Sequence, residues 1–215
     1  AVNGTDVTTE AGGVVRSIAF EAGQPVAAGT VLLRLNTANE QATLDALEAS
    51  ARLARVQANR WQQLGKEKLV SLDDVQSRVT AAATAQAQVD AQRALIAQKT
   101  IRAPFSGVLG LRKVNLGQYI APGTAMVSLQ QLDPIYLDFS LPEQQVAKMV
   151  EGIAVRARVD ALPGKVFDGR ITFVYPTMTA ETRSVPVRVE LANPGQRLKP
   201  AMFAQVEVTV GGKAP

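Results

Sequence analysis

The 215-residue chain contains no histidine and no cysteine, so Ser-His-Asp and Cys-His nucleophile arrangements are excluded, as are disulfides and the commonest transition-metal ligand. The side chains left for chemistry are few. Asp73-Asp74 and Glu181 are the acidic groups that stand out, but their contexts are a helix cap and a loop, with no apolar pocket implied that would tune a general acid or base. Gly12-Gly13 and the Gly107 and Gly110 pair lack the GxxxxGK[ST] spacing and no helix follows them, so they read as turn glycines rather than a phosphate loop. Met126, Met149, Met178 and Met202 fall in separate elements, which suits core filling better than a soft-metal site. The expectation is a chain with no catalytic residue, no cofactor and no metal, and not an enzyme.

Charge narrows the partners. Lys and Arg number 23 against 19 Asp and Glu, for a net charge of +4 and a pI near 9.6. The bases are scattered and not massed on one segment, which argues against nucleic acid. No run of 18 apolar residues occurs, and the first residues carry no secretory signal. Ala1-Val2-Asn3-Gly4-Thr5 and Gly211-Gly212-Lys213-Ala214-Pro215 read as cut ends, so an anchor and a flanking domain are expected outside the sequence.

The elements that frame these residues begin with a duplication. Gly23-Gln24-Pro25-Val26-Ala27-Ala28-Gly29-Thr30-Val31-Leu32-Leu33-Arg34-Leu35 recurs as Gly117-Gln118-Tyr119-Ile120-Ala121-Pro122-Gly123-Thr124-Ala125-Met126-Val127-Ser128-Leu129, and the same offset of 94 pairs Gly13-Val14 with Gly107-Val108. Each copy is a set of short strands with Gly and Pro at its corners, too small to bury an apolar face alone. The two halves must therefore meet in space, and the residues between them must leave and return.

Those intervening residues read as helix. No Pro occurs from Asn39 to Gln98 and only Gly65 breaks the run. Leu44, Leu47, Ala51, Ala54, Ala58 and Trp61 follow 3,4 spacing, and Leu72, Val75, Val79, Ala82, Gln86, Val89, Arg93 and Ile96 repeat it, with Gln86 and Arg93 as polar interruptions. Gly65 is expected as the C-cap of the first helix and Ser71 as the N-cap of the second, with Asp73 and Asp74 in its first turn. Two arms of about 28 residues would project roughly 40 Å as an antiparallel coiled-coil hairpin. Outside the seam the first arm carries Asp45, Glu48, Arg52 and Arg55, and the second mostly Ala, Thr and Gln, as at Thr80, Thr84, Gln88 and Gln92. This is a solvated surface or a flank packed against copies of itself.

Beyond Leu132 a strand over Ile135 to Ser140 precedes a short helix over Pro142 to Val150. Strands follow over Ala154 to Asp160, Val166 to Tyr175, Ser184 to Leu191 and Met202 to Val210, the pattern of a small antiparallel barrel. The fold class expected is mixed α and β. It has a split, flattened β-sandwich (5–36 and 99–130), an inserted helical hairpin (37–98) and a β-barrel with one short helix (131–210).

The β halves resemble biotinyl and lipoyl carrier domains, but the turn Leu35-Asn36-Thr37-Ala38-Asn39 has no Lys to modify. The whole order of parts, together with Arg102-Ala103-Pro104-Phe105-Ser106-Gly107-Val108, Val114-Asn115-Leu116-Gly117-Gln118-Tyr119-Ile120, Leu132-Asp133-Pro134-Ile135-Tyr136-Leu137-Asp138-Phe139 and Thr182-Arg183-Ser184-Val185-Pro186-Val187-Arg188, resembles the periplasmic adaptor subunits, or membrane fusion proteins, of Gram-negative resistance-nodulation-division efflux pumps. That resemblance implies a periplasmic linker held to the inner membrane by an anchor outside this sequence. Its partners would be an inner-membrane transporter, a TolC-like outer-membrane channel, and further copies of itself in a ring, hexameric by the same resemblance. It also implies a membrane-proximal domain that the sequence lacks. Adaptors of this kind that dock on such a channel carry Arg, then Leu four positions on, then Ser seven further, and Arg60, Leu64 and Ser71 match. An adaptor for an ABC or major-facilitator exporter shares that spacing. A lipoyl or biotinyl carrier protein and a metal-efflux adaptor that binds its cargo stand as rival functions. One departure concerns Pro200-Ala201-Met202, where the family has Pro-Gly-Met; an alanine there is expected to be strained by a turn that wants φ > 0.

Overall fold

The computed structural model describes residues 3–146, 149–177 and 184–208. Met178, Glu181, Thr182, Arg183 and the expected strand end at Thr209 and Val210 lie outside the described residues, as do 147 and 148 of the expected short helix.

The duplication is realised as an interlock. The first half supplies β1 (Gly4–Thr8), β2 (Gly13–Ile18), β3 (Pro25–Val26) and β4 (Val31–Leu35); the second supplies β5 (Thr100–Arg102), β6 (Gly107–Arg112), β7 (Tyr119–Ile120) and β8 (Ala125–Gln130). One sheet runs β1-β8-β6-β3 and the other β5-β4-β2-β7. Each half thus places two strands at the edges of a sheet whose centre belongs to the other half. The hydrogen bonds repeat with the sequence. Gly29 N–H donates to Ala103 O at 2.8 Å and Gly123 N–H to Thr9 O at 2.7 Å, while Val15 N–H donates to Gln118 O at 2.9 Å and Leu109 N–H to Gln24 O at 3.1 Å. The glycines are needed at these corners because the backbone turns left-handed, with φ 80° at both Gly29 and Gly123. Between the sheets Leu32, Leu33, Leu35, Leu109, Met126, Val127 and Leu129 close one buried core.

Between β4 and β5 the chain leaves as α1 (Ala38–Lys66) and returns as α2 (Leu72–Gln98). The helices are antiparallel: Gln92 Nε2 donates to Glu40 O at 2.9 Å, Arg93 meets Glu48 at 2.6 Å, and Arg78 lies 5.3 Å from the centroid of the Trp61 ring. The α1 stripe is as expected, with Leu44, Ala51 and Ala58 buried. The α2 stripe needs correction. Gln86 and Arg93 are exposed, while Ala85 and Gln92 turn inward beside Val89 and Ile96. Small Ala85 lets the helices approach closely, Gln92 satisfies its amide on a main-chain carbonyl, and Arg93 stays at the rim where Glu48 neutralises it. Leu72, expected in the stripe, is exposed.

The remaining strands, β9 (Ile135–Pro142), β10 (Ala154–Val159), β11 (Val166–Val174), β12 (Ser184–Leu191) and β13 (Ala204–Val208), form one antiparallel sheet in the order β13-β10-β11-β12-β9. Among the described residues β9 and β13 do not pair, yet the sheet curls around a single core of Ile135, Val155, Ala157, Ile171, Val187, Val189 and Leu191. Pro142 ends β9 instead of opening the helix α3 (Glu143–Val146); β9 is an edge strand, where a residue without N–H is tolerated. Arg188 forms a two-pronged ion pair with Asp138 at 2.7 and 2.9 Å, which pushes its pKa further up.

Two loop residues of this region carry more structure than turns require. Asn193 is fully buried: its amide nitrogen Nδ2 donates to Leu132 O and Leu198 O at 2.8 and 2.9 Å, its backbone N–H donates to Asp133 Oδ1, and its Oδ1 accepts from Leu198 N–H. It knots the 192–198 loop to the segment entering β9. Ala201 has φ 65°, so the expected strain at Pro200-Ala201-Met202 is present.

Candidate functional site: the hairpin tip

Helix propensity explains why the arm runs unbroken to its end, since α1 is rich in Ala, Leu, Arg, Gln and Glu. Its terminus differs from the sequence expectation. Gly65 lies inside the last helical turn, not at the cap, and a Cβ there would come within 2.7 Å of Val75 Cγ2. Gly65 is therefore where the two helices close on each other beneath the tip. The left-handed residue that stops α1 is Lys68, at φ 58°. Lys68 N–H donates to Gly65 O and Leu69 N–H to Leu64 O, both at 3.0 Å. This is a Schellman closure with lysine where glycine is usual.

Ser71 is the N-cap of α2, as expected. Its Oγ accepts from Asp74 N–H at 3.0 Å and donates to Asp74 Oδ2 at 2.6 Å. Asp73 and Asp74 sit in the first turn, where carboxylates favour the positive end of the helix. The hydroxyl proton of Ser71 is thus held by Asp74 in the free protein, and contact with another molecule would use the oxygen's exposed side or exchange that bond.

Arg60 is exposed and has no ion pair among the described residues. It lies six residues before the end of α1, about 9 Å along the helix axis. Leu64 is half-buried, less a free apolar knob than a residue partly committed to the turn. The structure brings Arg60, Leu64 and Ser71 to one end of the hairpin. It also shows Leu69, which the periodicity did not single out, and Leu72, which it placed in the stripe, 66% and 81% exposed on either side of Ser71. The signal for Leu72 was its place as the first residue of a capped helix, outside the stripe that α2 turns inward.

At the opposite end, Lys99 fixes the root. Its Nζ reaches Glu40 Oε1 at 2.5 Å and donates to Asn36 O at 3.3 Å. The hydrogen bond from Lys99 is the main reason that the Glu40 carboxyl is held below its ordinary range, with a backbone hydrogen bond adding to it. Arg93 and Glu48 brace the next turns. The exposed tip thus stands at the end of an arm braced at its root. Among the described residues no group of three His, Cys, Asp or Glu is placed to hold a metal ion. Met126 is sealed in the sandwich core, and Met149 and Met202 pack against the barrel core.

Known proteins share this architecture. The family model described as "RND MFP, barrel-sandwich hybrid domain" matches residues 3–135, and that described as "CusB-like, beta-barrel domain" matches 134–212. The multidrug efflux pump subunit AcrA of Escherichia coli is 28% identical over 234 residues, covering 96% of this chain and 59% of AcrA. An uncharacterised protein of Haemophilus influenzae is 29% identical over 208 residues, covering 96% of this chain and 54% of its own length. The chain therefore spans little more than half the length of the curated relatives it matches. In fold it is similar to the crystal structure of a MacA-MexA chimera containing the Pseudomonas aeruginosa MexA α-hairpin domain. That likeness has a TM-score of 0.85 at 19% identity and covers 98% of this chain and 79% of the chimera. With the interlocked halves and the curled sheet each matched by its own family model, the chain belongs to the RND membrane-fusion-protein family, whose members are adaptors and not enzymes.

Proposed function

We propose that this chain is a periplasmic adaptor of a tripartite efflux pump for drugs or other small toxic compounds. It links an inner-membrane resistance-nodulation-division transporter to a TolC-like outer-membrane channel. The observation that carries the reading is the antiparallel arm, with helices of 29 and 27 residues, braced at its root and bearing Arg60, Leu64 and Ser71 at its far end. Such an arm reaches roughly 40 Å from the sandwich. Arg60 supplies hydrogen-bond donors on a side chain not committed elsewhere, and Leu64 and Ser71 supply apolar and hydroxyl contacts.

Energy comes from the transporter, and this chain supplies the joint. In this reading 5–36 and 99–130 form a lipoyl-like domain, 37–98 a coiled-coil hairpin and 131–210 a barrel that rests on the pump. No helix among the described residues is long and apolar enough to cross a membrane. In this reading a segment outside the sequence tethers the adaptor to the inner membrane. Copies side by side, six by family resemblance, would form the conduit. Leu53 and Val56 on α1 and Leu95 on α2 are exposed, apolar area that a neighbouring copy would cover. Many weak tip contacts then multiply by avidity, so each tip need be only modestly adhesive.

Complementation of drug efflux in cells lacking their own adaptor tests this. Arg60→Asp should abolish resistance while the circular dichroism spectrum and melting temperature of the purified protein stay unchanged. Loss of folding in that variant would return Arg60 to a structural role and remove the support it gives.

A further inference from the structure

We infer that Leu69 and Leu72 extend the apolar grip of the tip, adding exposed area to the smaller contact that half-buried Leu64 makes beneath them. The inference rests on the adaptor reading and assigns the contact within that same site. Leu69 and Leu72 are 66% and 81% exposed, whereas Leu64 is half-buried and its carbonyl holds the Leu69 amide at 3.0 Å. In a Schellman closure the residue after the left-handed position ordinarily folds back on the helix to cover its apolar neighbour. Here Leu69 remains largely in water. Leu72 opens α2 at a position that asks nothing apolar of its occupant. Neither leucine is explained by the stability of the hairpin, and they stand on either side of the Ser71 cap.

The occupant is an apolar notch on a protein, the outer-membrane channel of the adaptor reading. Lys66 and Lys68 are balanced by Glu67, Asp73 and Asp74 around the leucines, so the tip offers no basic field to an anionic lipid surface. Two leucine side chains also bury far less than the ~1,200 Å² at which a free-standing pair of proteins becomes stable. A lone tip-to-tip dimer is thereby disfavoured, while a ring of tips seated on one multimeric channel gains by repetition.

The test places a photo-crosslinking residue at Gln63 of the adaptor, co-expressed in cells with a TolC-like channel. The Leu69→Ser/Leu72→Ser double variant should lower the channel adduct at least about tenfold, because two apolar contacts are lost per tip, with the melting temperature unchanged. Leu64→Ala should lower the melting temperature and reduce the adduct less than about threefold. An undiminished adduct in the double variant, with loss in Arg60→Asp, overturns the assignment of the leucines and leaves the adaptor reading standing. No channel adduct from the unmodified tip sinks both. Adducts to a second copy, or co-sedimentation with neutral or anionic phosphatidyl vesicles, that disappear in the double variant would give the leucines to another occupant and overturn the inference.

Discussion

In the β-sandwich Leu33, Leu109 and Leu129 are at most 1% exposed within a core drawn from both halves, whereas along the hairpin Leu44, Ala51, Ala58 and Val89 are the hydrophobic residues buried among those described. The sandwich is held by apolar area that joins residues far apart in the chain. The arm is held by local helix formation, close approach at Ala51, Ala58 and Gly65, and ion pairs at its root. A body of the first kind fixes where the arm points. An arm of the second kind leaves its far end free of folding duty, so that end can be shaped for a partner.

The largest effects should separate the two regions directly. Leu129→Ala is expected to cost about 3 kcal/mol and to unfold the sandwich cooperatively. Val89→Ala should cost about 1 to 2 kcal/mol and act locally, speeding amide exchange along α1 and α2 while sandwich amides keep their protection. Equal exchange in both regions for the Val89 variant would show that arm and body are one cooperative unit.

Next in size is a contrast built into the repeat. Gly13 and Gly107 occupy matching positions, yet a Cβ at Gly107 would lie 2.5 Å from Gln130 O, against 3.4 Å from Leu35 Cβ for Gly13. Gly107→Ala should cost about 2 kcal/mol in denaturant melts and Gly13→Ala well under about 1. A smaller gain is expected at the tip: Lys68→Gly relieves a left-handed lysine and should stabilise the arm by about 1 kcal/mol, seen as slower exchange at Leu69. Smallest is the acid response of the root. The Glu40 carboxyl is held low by Lys99, so its contribution is full above the ordinary carboxylate range and fades as pH falls through the lowered value. Protection of the amides near Ala38, taken relative to their intrinsic exchange rate at each pH, should fall at acid pH in the native protein, and Glu40→Gln should remove that dependence.

Much of this was legible in the residues. A 94-residue offset that preserved Gly29 against Gly123 and Leu35 against Leu129 could mean only matched corners and matched core positions, and the interlock follows from them. Proline-free 3,4 spacing foretold α1 and Ser71 foretold the start of α2. What escaped has a physical reason in each case. Gln86 and Arg93 match a heptad as letters, but a charged group gains more at the rim beside Glu48 than inside, and Ala85 fits where the helices are nearest. Gly65 looked like a cap because glycine tolerates φ > 0, yet its missing side chain was needed for contact with Val75, leaving Lys68 to take the left-handed position. Asn193 resembled any turn asparagine, since spacing alone does not reveal that four hydrogen bonds converge on it. The exposure of Leu69 and Leu72 depends on how the turn is closed, which no periodicity encodes.

If the far end of the arm, and not the body, meets the outer-membrane channel, photo-crosslinking in cells from two positions, Gln63 at the tip and Arg16 on the sandwich, will separate them in one experiment. A channel adduct from Gln63 with none from Arg16 is the predicted result; an adduct from Arg16 instead, or none from Gln63 with the hairpin folded, would contradict it.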